Sequence, residues 1–256
     1  MIPYETVLAP SPGYESHYLK ANSPDGQRAF WVKHTLTSLR DGTRRMQLWR
    51  VRFIRGVPPE IWTAEVDPTV LGEGPTIVAP GLTFGPSHAK GPSWDLQWSG
   101  GTPIIHLPRP LYRLPTAKVL TPAAGAIFSG AVGDWTIHNW VGLRGHNWGR
   151  RHTHRYTWLA ASEGVPLEGF IAQPRPRWPT IGALAGARRK LWFASLNAGR
   201  FEFGGVVATA APEDFVTLDY LSPEGGTTPC RCTKFADVTV DGRLHSRSGE
   251  LEFMGF

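Results

Sequence analysis

Four of the nine histidines fall in one short stretch, 134–158, which reads DWTIHNWVGLRGHNWGRRHTHRYTW. Imidazoles among indoles suit proton chemistry on apolar molecules: an imidazole changes charge near neutral pH, and an indole face steadies a carbocation. If an extended strand runs through the second half, alternation points His146, Trp148, His152, His154, Tyr156 and Trp158 to one side, unless Gly149 bulges or turns it. Such a face would be an aromatic cage with imidazoles. Asn147 would lie on the opposite face and fix a local turn by side-chain hydrogen bonding, while Gly145 and Gly149 allow close backbone approach.

His152-x-His154 also has the spacing of two metal ligands on one strand face, with His146 or His138 as a third. A glutamate should follow such a pair, but Trp158 and Leu159 stand there, so no metal is expected. The proton donor is harder to place, because no aspartate occurs between Asp134 and Asp214. Glu163 and Glu168 (in PLEGF) are the downstream candidates, Glu168 being preferred, with Asp134 and Asp95 reachable through space; burial would keep any of them protonated. There is no Gly-x-Ser-x-Gly elbow, no Gly-x-Gly-x-x-Gly and no Walker sequence, so serine hydrolysis and a nucleotide cofactor lack support. Cys230 and Cys232, one residue apart, read as reduced, partly buried thiols.

Positioning these side chains falls to strands. With 29 glycines and 23 prolines in 256 residues, few windows could hold a helix. The uninterrupted windows alternate: Phe30, Val32, His34 and Leu36 oppose Trp31, Lys33, Thr35 and Thr37, and 46–53 behaves likewise, giving each strand a wetter and a drier face. Similar runs are expected at 60–66, 93–98, 126–132, 135–141, 152–160, 190–196, 201–209, 216–220, 234–240 and 250–253. Asp25-Gly26, Asp41-Gly42 and Asp241-Gly242 are hairpin turns. The proline-rich passage from Pro103 to Pro122 suits a crossing between two β domains, 1–122 and 123–256. A second, Pro166–Pro179, reads as a loop over a barrel mouth. The predicted fold is all-β, with antiparallel barrels or sandwiches. Eleven tryptophans, among them Trp94, Trp98 and Trp140, would line or fill such barrels.

The formal charge is +6, carried mostly by scattered arginines such as Arg44-Arg45 and Arg150-Arg151. Without a nucleic-acid motif these read as solvated strand faces, and no nucleic-acid partner is expected. No run reaches the ~18 apolar residues of a membrane helix, and residues 1–12 carry no signal-peptide pattern, so a cytoplasmic protein without an integral membrane segment is expected.

Three segments, SHYLKANSPDGQRAFWVKHTL from residue 16, SWDLQW, and SGAVGDWTIHNWVGLRGHNWG, resemble a lipocalin-like group that includes AttH-like proteins, carotenoid hydratases, tocopherol cyclases and lipocalin-type Diels-Alderases. The glycine-flanked His-Asn-Trp-Gly is the most specific part and is similar to a second-domain signature of the group. The resemblance covers most of the chain and implies two consecutive lipocalin-like domains with an apolar site. It also implies active-site roles for His146 and Trp148, which in the hydratases help protonate a carbon-carbon double bond. The hydratases' downstream Tyr-x-Asp pair is absent here, which leaves the acid unassigned among Glu168, Glu163, Asp134 and Asp95, with Glu168 taken as the first candidate.

The expected function is therefore binding of an isoprenoid- or polyketide-like molecule and its hydration, dehydration or cyclisation by His146, Trp148 and Glu168. Trp94, Trp98, Trp140, Asn147, Tyr156 and Trp158 would contact the ligand. A non-catalytic carrier is the alternative, since shape and apolar surface suffice for binding. An interaction module has only the basic pI and the exposed arginine pairs in its favour.

Overall fold

The computed structural model describes residues 11–69, 71–73, 76–113 and 116–256. Strand accounts for 67% of it, in two curled antiparallel half-barrel sheets. The first sheet comprises β1 (Gly13–Asn22), β2 (Arg28–Ser38), β3 (Arg44–Ile54), β4 (Val57–Val66), β5 (Leu71–Glu73), β6 (Thr76–Ala79), β7 (Leu82–Phe84), β8 (His88–Gly91), β9 (Trp94–Ile104), β10 (Lys118–Val132) and β11 (Trp135–Gly149). Its order is 4-3-2-1-11-10-9-8-7-6-5, so β1 and β11 lie side by side in its interior.

The second sheet comprises β12 (Arg155–Ala161), β13 (Leu167–Gln173), β14 (Ile181–Gly186), β15 (Lys190–Phe193), β16 (Arg200–Phe203), β17 (Val206–Thr209), β18 (Val216–Leu221), β19 (Thr227–Val240) and β20 (Arg243–Met254). Its order is 15-14-13-12-20-19-17-16, with β18 also paired to β19.

The anticipated all-β class holds, with strands in each of the anticipated windows, although 201–209 is a tight hairpin rather than one strand. Residue 123 lies inside β10, and the chain passes from the first sheet to the second at 150–154. The first proline-rich passage links β9 to β10 within one sheet. A 3-10 turn at Arg109–Arg113 within it carries Tyr112, packed with Leu120 and Trp148. Half of Pro166–Pro179, Leu167–Gln173, is β13, and only the remainder is loop.

Among the described residues this layout gives three large cores. One lies inside the first curl and contains Leu19, Phe30, Val32, Leu48, Trp94, Trp98, Phe128 and Trp140. A second lies between the sheets, around Trp31, Trp49, Leu143, Trp158, Leu218, Cys230, Cys232 and Met254. The third fills the second curl. Because the first sheet has apolar packing on both sides, β1 is buried throughout and β2 throughout but for Arg28. The face of β2 that alternation marks as wetter, with Lys33, Thr35 and Thr37, is thus buried, and Lys33 lies over Tyr220 of the second sheet.

Candidate functional site

The two faces of β1 and β11 carry two polar groupings. On the face inside the first curl, pairing aligns His146, His17 and His34 directly across β11, β1 and β2. The His17 and His146 rings stack at 4.0 Å, His17 and His34 at 5.2 Å, and His146 and Trp148 at 4.5 Å. Tyr112 continues the stack over Trp148 at 6.0 Å. Glu15, one pair along β1 and opposite Trp148, brings Oε1 to 3.1 Å from His17 Nε2 and 3.0 Å from His146 Nε2. Burial, then His146, His34 and Arg144, holds His17 well below the usual imidazole range. Burial, Lys33 and Arg144 lower His34 to about 3. The ligand atoms of Glu15, His17 and His146 lie within 4.8 Å of one another. The two rings are parallel to within 10°, so their nitrogen lone pairs run side by side instead of converging on one cation. What this arrangement does chemically is share a carboxylate between imidazoles.

On the opposite face lies a cavity of about 110 Å³ between the sheets. The first sheet contributes Tyr14 and Tyr18 from β1, Lys33 from β2, Lys118 and Val119 from β10 and Asn147 from β11. The second contributes Tyr156 and Trp158 from β12, Phe170 and Ala172 from β13, Tyr220 from β18, and Glu252 and Met254 from β20, with His152 at the crossover. This is an aromatic wall with a few convergent polar groups. The Trp158 ring is held from behind: its Nε1–H donates to Glu168 Oε1 at 2.8 Å, and His106 Nε2 lies 3.1 Å from the same oxygen.

Charge is concentrated beside the cavity. Lys20 pairs with Glu252 and, at 3.3 Å, with Glu250, which also accepts from Lys234 at 2.8 Å. Burial would raise the Glu252 carboxyl, but Lys20 and Lys234 outweigh it and hold it below the usual range. Burial pushes Lys33 down to about 8, with Glu252 opposing. The Tyr156 hydroxyl donates to Glu252 Oε2 at 3.5 Å and is raised by burial. His152 Nε2–H donates to the Leu221 carbonyl at 3.2 Å, and burial lowers the ring to about 4. Burial raises Cys230 to about 12, so that thiol stays protonated.

The residues singled out by sequence are thus divided. Asn147, Tyr156 and Trp158 reach the cavity, while His146 and Trp148 face the other way, into the first curl. The chain leaves β11 at Gly149 and enters β12 at Arg155, which breaks the continuous even-numbered face. Trp94, Trp98 and Trp140 pack in the first core, away from the cavity wall. Glu168 is buried behind Trp158, not beside His146. Among the other carboxyls, Asp134 pairs with Arg52, Asp95 with His88 and Lys90, and Glu163 accepts from Ser246. Asn147 makes no turn; it sits mid-strand between Ser16 and Val119. Gly145 and Gly149 do permit close approach: a Cβ would fall 2.1 Å from the Tyr18 ring and 2.9 Å from Ala117 Cα. His152 faces the cavity, and His154 is exposed. Glu15, His17, Lys33 and Glu252 were missed. The alternation in Glu15-Ser-His17-Tyr-Leu-Lys20 could have flagged the first two, since it sets Glu15 and His17 on one face.

No family model matches the chain. Over 89% of its length and 80% of theirs, it is 24% identical to two uncharacterized Mycobacterium tuberculosis proteins, MT0513 of strain CDC 1551 / Oshkosh and Rv0493c of strain H37Rv. Among solved structures, CghA with Sch210972 aligns at a TM-score of 0.60 and 12% identity, covering 99% of this chain and 94% of that one. An AttH-type protein of Nitrosomonas europaea aligns at 0.55 and 10% identity, covering 100% and 98%. At such identities the likeness is one of fold alone.

Proposed function

We propose that this chain, built on the AttH-like lipocalin-type fold, binds an apolar small molecule between its two sheets and acts on it as a lyase or isomerase, by hydration, dehydration or cyclisation without a nucleotide cofactor. The observation that carries this reading is the inter-sheet cavity, aromatic on its walls and furnished with Lys33, Tyr156 and Glu252. A carrier needs only the walls, whereas buried groups with displaced pKa values are typical of a reacting centre. In this reading Tyr18 and Trp158 face a developing cation, Tyr156 and Glu252 handle a proton, and Asn147 meets a polar end of the ligand. Asn147 Oδ1 is buried with no hydrogen-bond partner among the described residues, which suits a donor on the ligand. Glu168 positions the Trp158 indole, and His146 and Trp148 support β11 from behind.

The test is organic extraction of freshly purified protein and mass spectrometry, beside an Ala172→Phe variant that fills the cavity. An apolar molecule retained by the wild type and lost from the folded variant is expected. Equal retention by both, or no binding of any terpenoid or polyketide in a thermal-shift panel, would overturn the reading.

A further inference from the structure

We propose that Lys33 is a covalent anchor: its amine condenses with an aldehyde or ketone group on the ligand, so that the cavity takes apolar carbonyl compounds and holds them as a Schiff base. This rests on the cavity reading above and narrows its substrate class.

Lys33 differs from the other five lysines of the chain. Lys20 and Lys234 are buried against Glu250 and Glu252. Lys90 pairs with Asp95 at the surface. Lys190 is exposed. Lys118 also reaches the cavity, but its Nζ donates to the Thr116 carbonyl. Lys33 is only 4% exposed, lies on the cavity wall and forms no ion pair with a described carboxylate. Its Nζ sits 3.7 Å from the Tyr220 ring centroid and 5.4 Å from that of Trp31. An ammonium so placed is steadied by ring faces and, without a direct ion pair, by Glu252, but burial outweighs both and losing its proton costs less than it would in water. The descent of Lys33 to about 8, caused by burial and aided by Lys20, agrees with this. A desolvated amine near a second cation is the form in which lysine attacks carbonyl carbon.

The step balances without an oxidant. The nitrogen lone pair forms a bond to the carbonyl carbon, the oxygen takes a proton and the nitrogen gives one up, leaving a carbinolamine. That oxygen then leaves as water with a second proton while the C=N bond forms. Tyr156 and Glu252 line the same cavity and can relay both protons. The protonated imine restores a positive charge beside the Tyr220 ring. On an α,β-unsaturated carbonyl it also withdraws electrons from the conjugated double bond, readying it for addition of water or for cycloaddition. One anchor therefore serves both hydration and cyclisation.

The experiment incubates the full chain with cinnamaldehyde and sodium cyanoborohydride, maps the reduced adduct by peptide mass spectrometry, and repeats this with Lys33→Met and Lys33→Arg. Lys33→Arg keeps the charge if Lys33→Met does not fold. The expected result is labelling of Lys33 about tenfold faster than of Lys90 or Lys190, lost in a variant that melts like the wild type. Labelling at Lys118, even labelling of surface lysines, or unchanged labelling in the variants overturns the anchor. Cinnamyl alcohol, which cannot form an imine, separates the two readings. If the alcohol raises the melting temperature but the aldehyde is not trapped at Lys33, the anchor fails and the apolar cavity stands. If neither compound shifts melting, both fail.

Discussion

Glu15 accepts from two imidazoles through a single oxygen, and one of its partners lies 131 positions away in sequence. In a core this dry, an imidazole N–H that loses its acceptor is not rescued by water. Glu15→Ala should therefore cost about 1–3 kcal/mol in urea denaturation, more than the loss of a surface carboxylate. An unchanged denaturation midpoint would show that the carboxylate is incidental. The same burial gives the histidines a pH signature. His34 is lowered to about 3 and His152 to about 4, with His17 also well below its ordinary value of 6.5. Below pH 6.5 the unfolded chain takes up protons that these folded imidazoles refuse, so stability falls as pH drops from about 6.5 towards 4. Melting scans across that range should show the decline, and His34→Phe should make it shallower. A melting temperature independent of pH there contradicts the burial argument.

At the scale of elements, β11 is the strand on which both groupings depend. Its even positions Arg144, His146 and Trp148 face the first core, and Asn147 faces the cavity. Gly145 is the hinge of this arrangement for a steric reason. A methyl there would lie 2.1 Å from Tyr18 Cε2, far inside van der Waals contact. Gly145→Ala must displace the Tyr18 ring, which also lines the cavity, and should cost about 1–3 kcal/mol while weakening ligand binding. Denaturation together with ligand titration reads both effects; full stability with unaltered affinity would mean that the ring moves freely and does not shape the site.

For the whole molecule, the two sheets are joined by charge as well as by apolar area. Lys20 comes from the first sheet, and Glu250, Glu252 and Lys234 from the second. Removing one member of such a cluster leaves its partners charged in a dry interface. Lys20→Met should destabilise the chain by about 3–5 kcal/mol, seen as an earlier or split denaturation transition. A single transition at the wild-type midpoint would show that the inter-sheet contact is carried by Trp31, Trp49, Trp158 and their neighbours alone.

By itself the sequence determined the all-β class, the position of many strands and the side of each strand on which a residue falls. Alternation and Gly/Pro punctuation are local properties, and a strand of period two declares its faces without its neighbours. It also drew attention to β11, to Asn147, Tyr156 and Trp158, and to close packing at Gly145 and Gly149. Only the tertiary structure decided which strands are adjacent, in what register, and what covers each face. Pairing β1 with β11 brings Glu15 to His146, and stacking the second sheet on the first turns the polar face of β2 into a cavity wall. It also turned His146 and Trp148 away from that cavity, because the chain crosses between sheets at 150–154 and the face count does not survive the crossing. Register and sheet stacking are set by the fit of side chains far apart in sequence, and no single window contains that information.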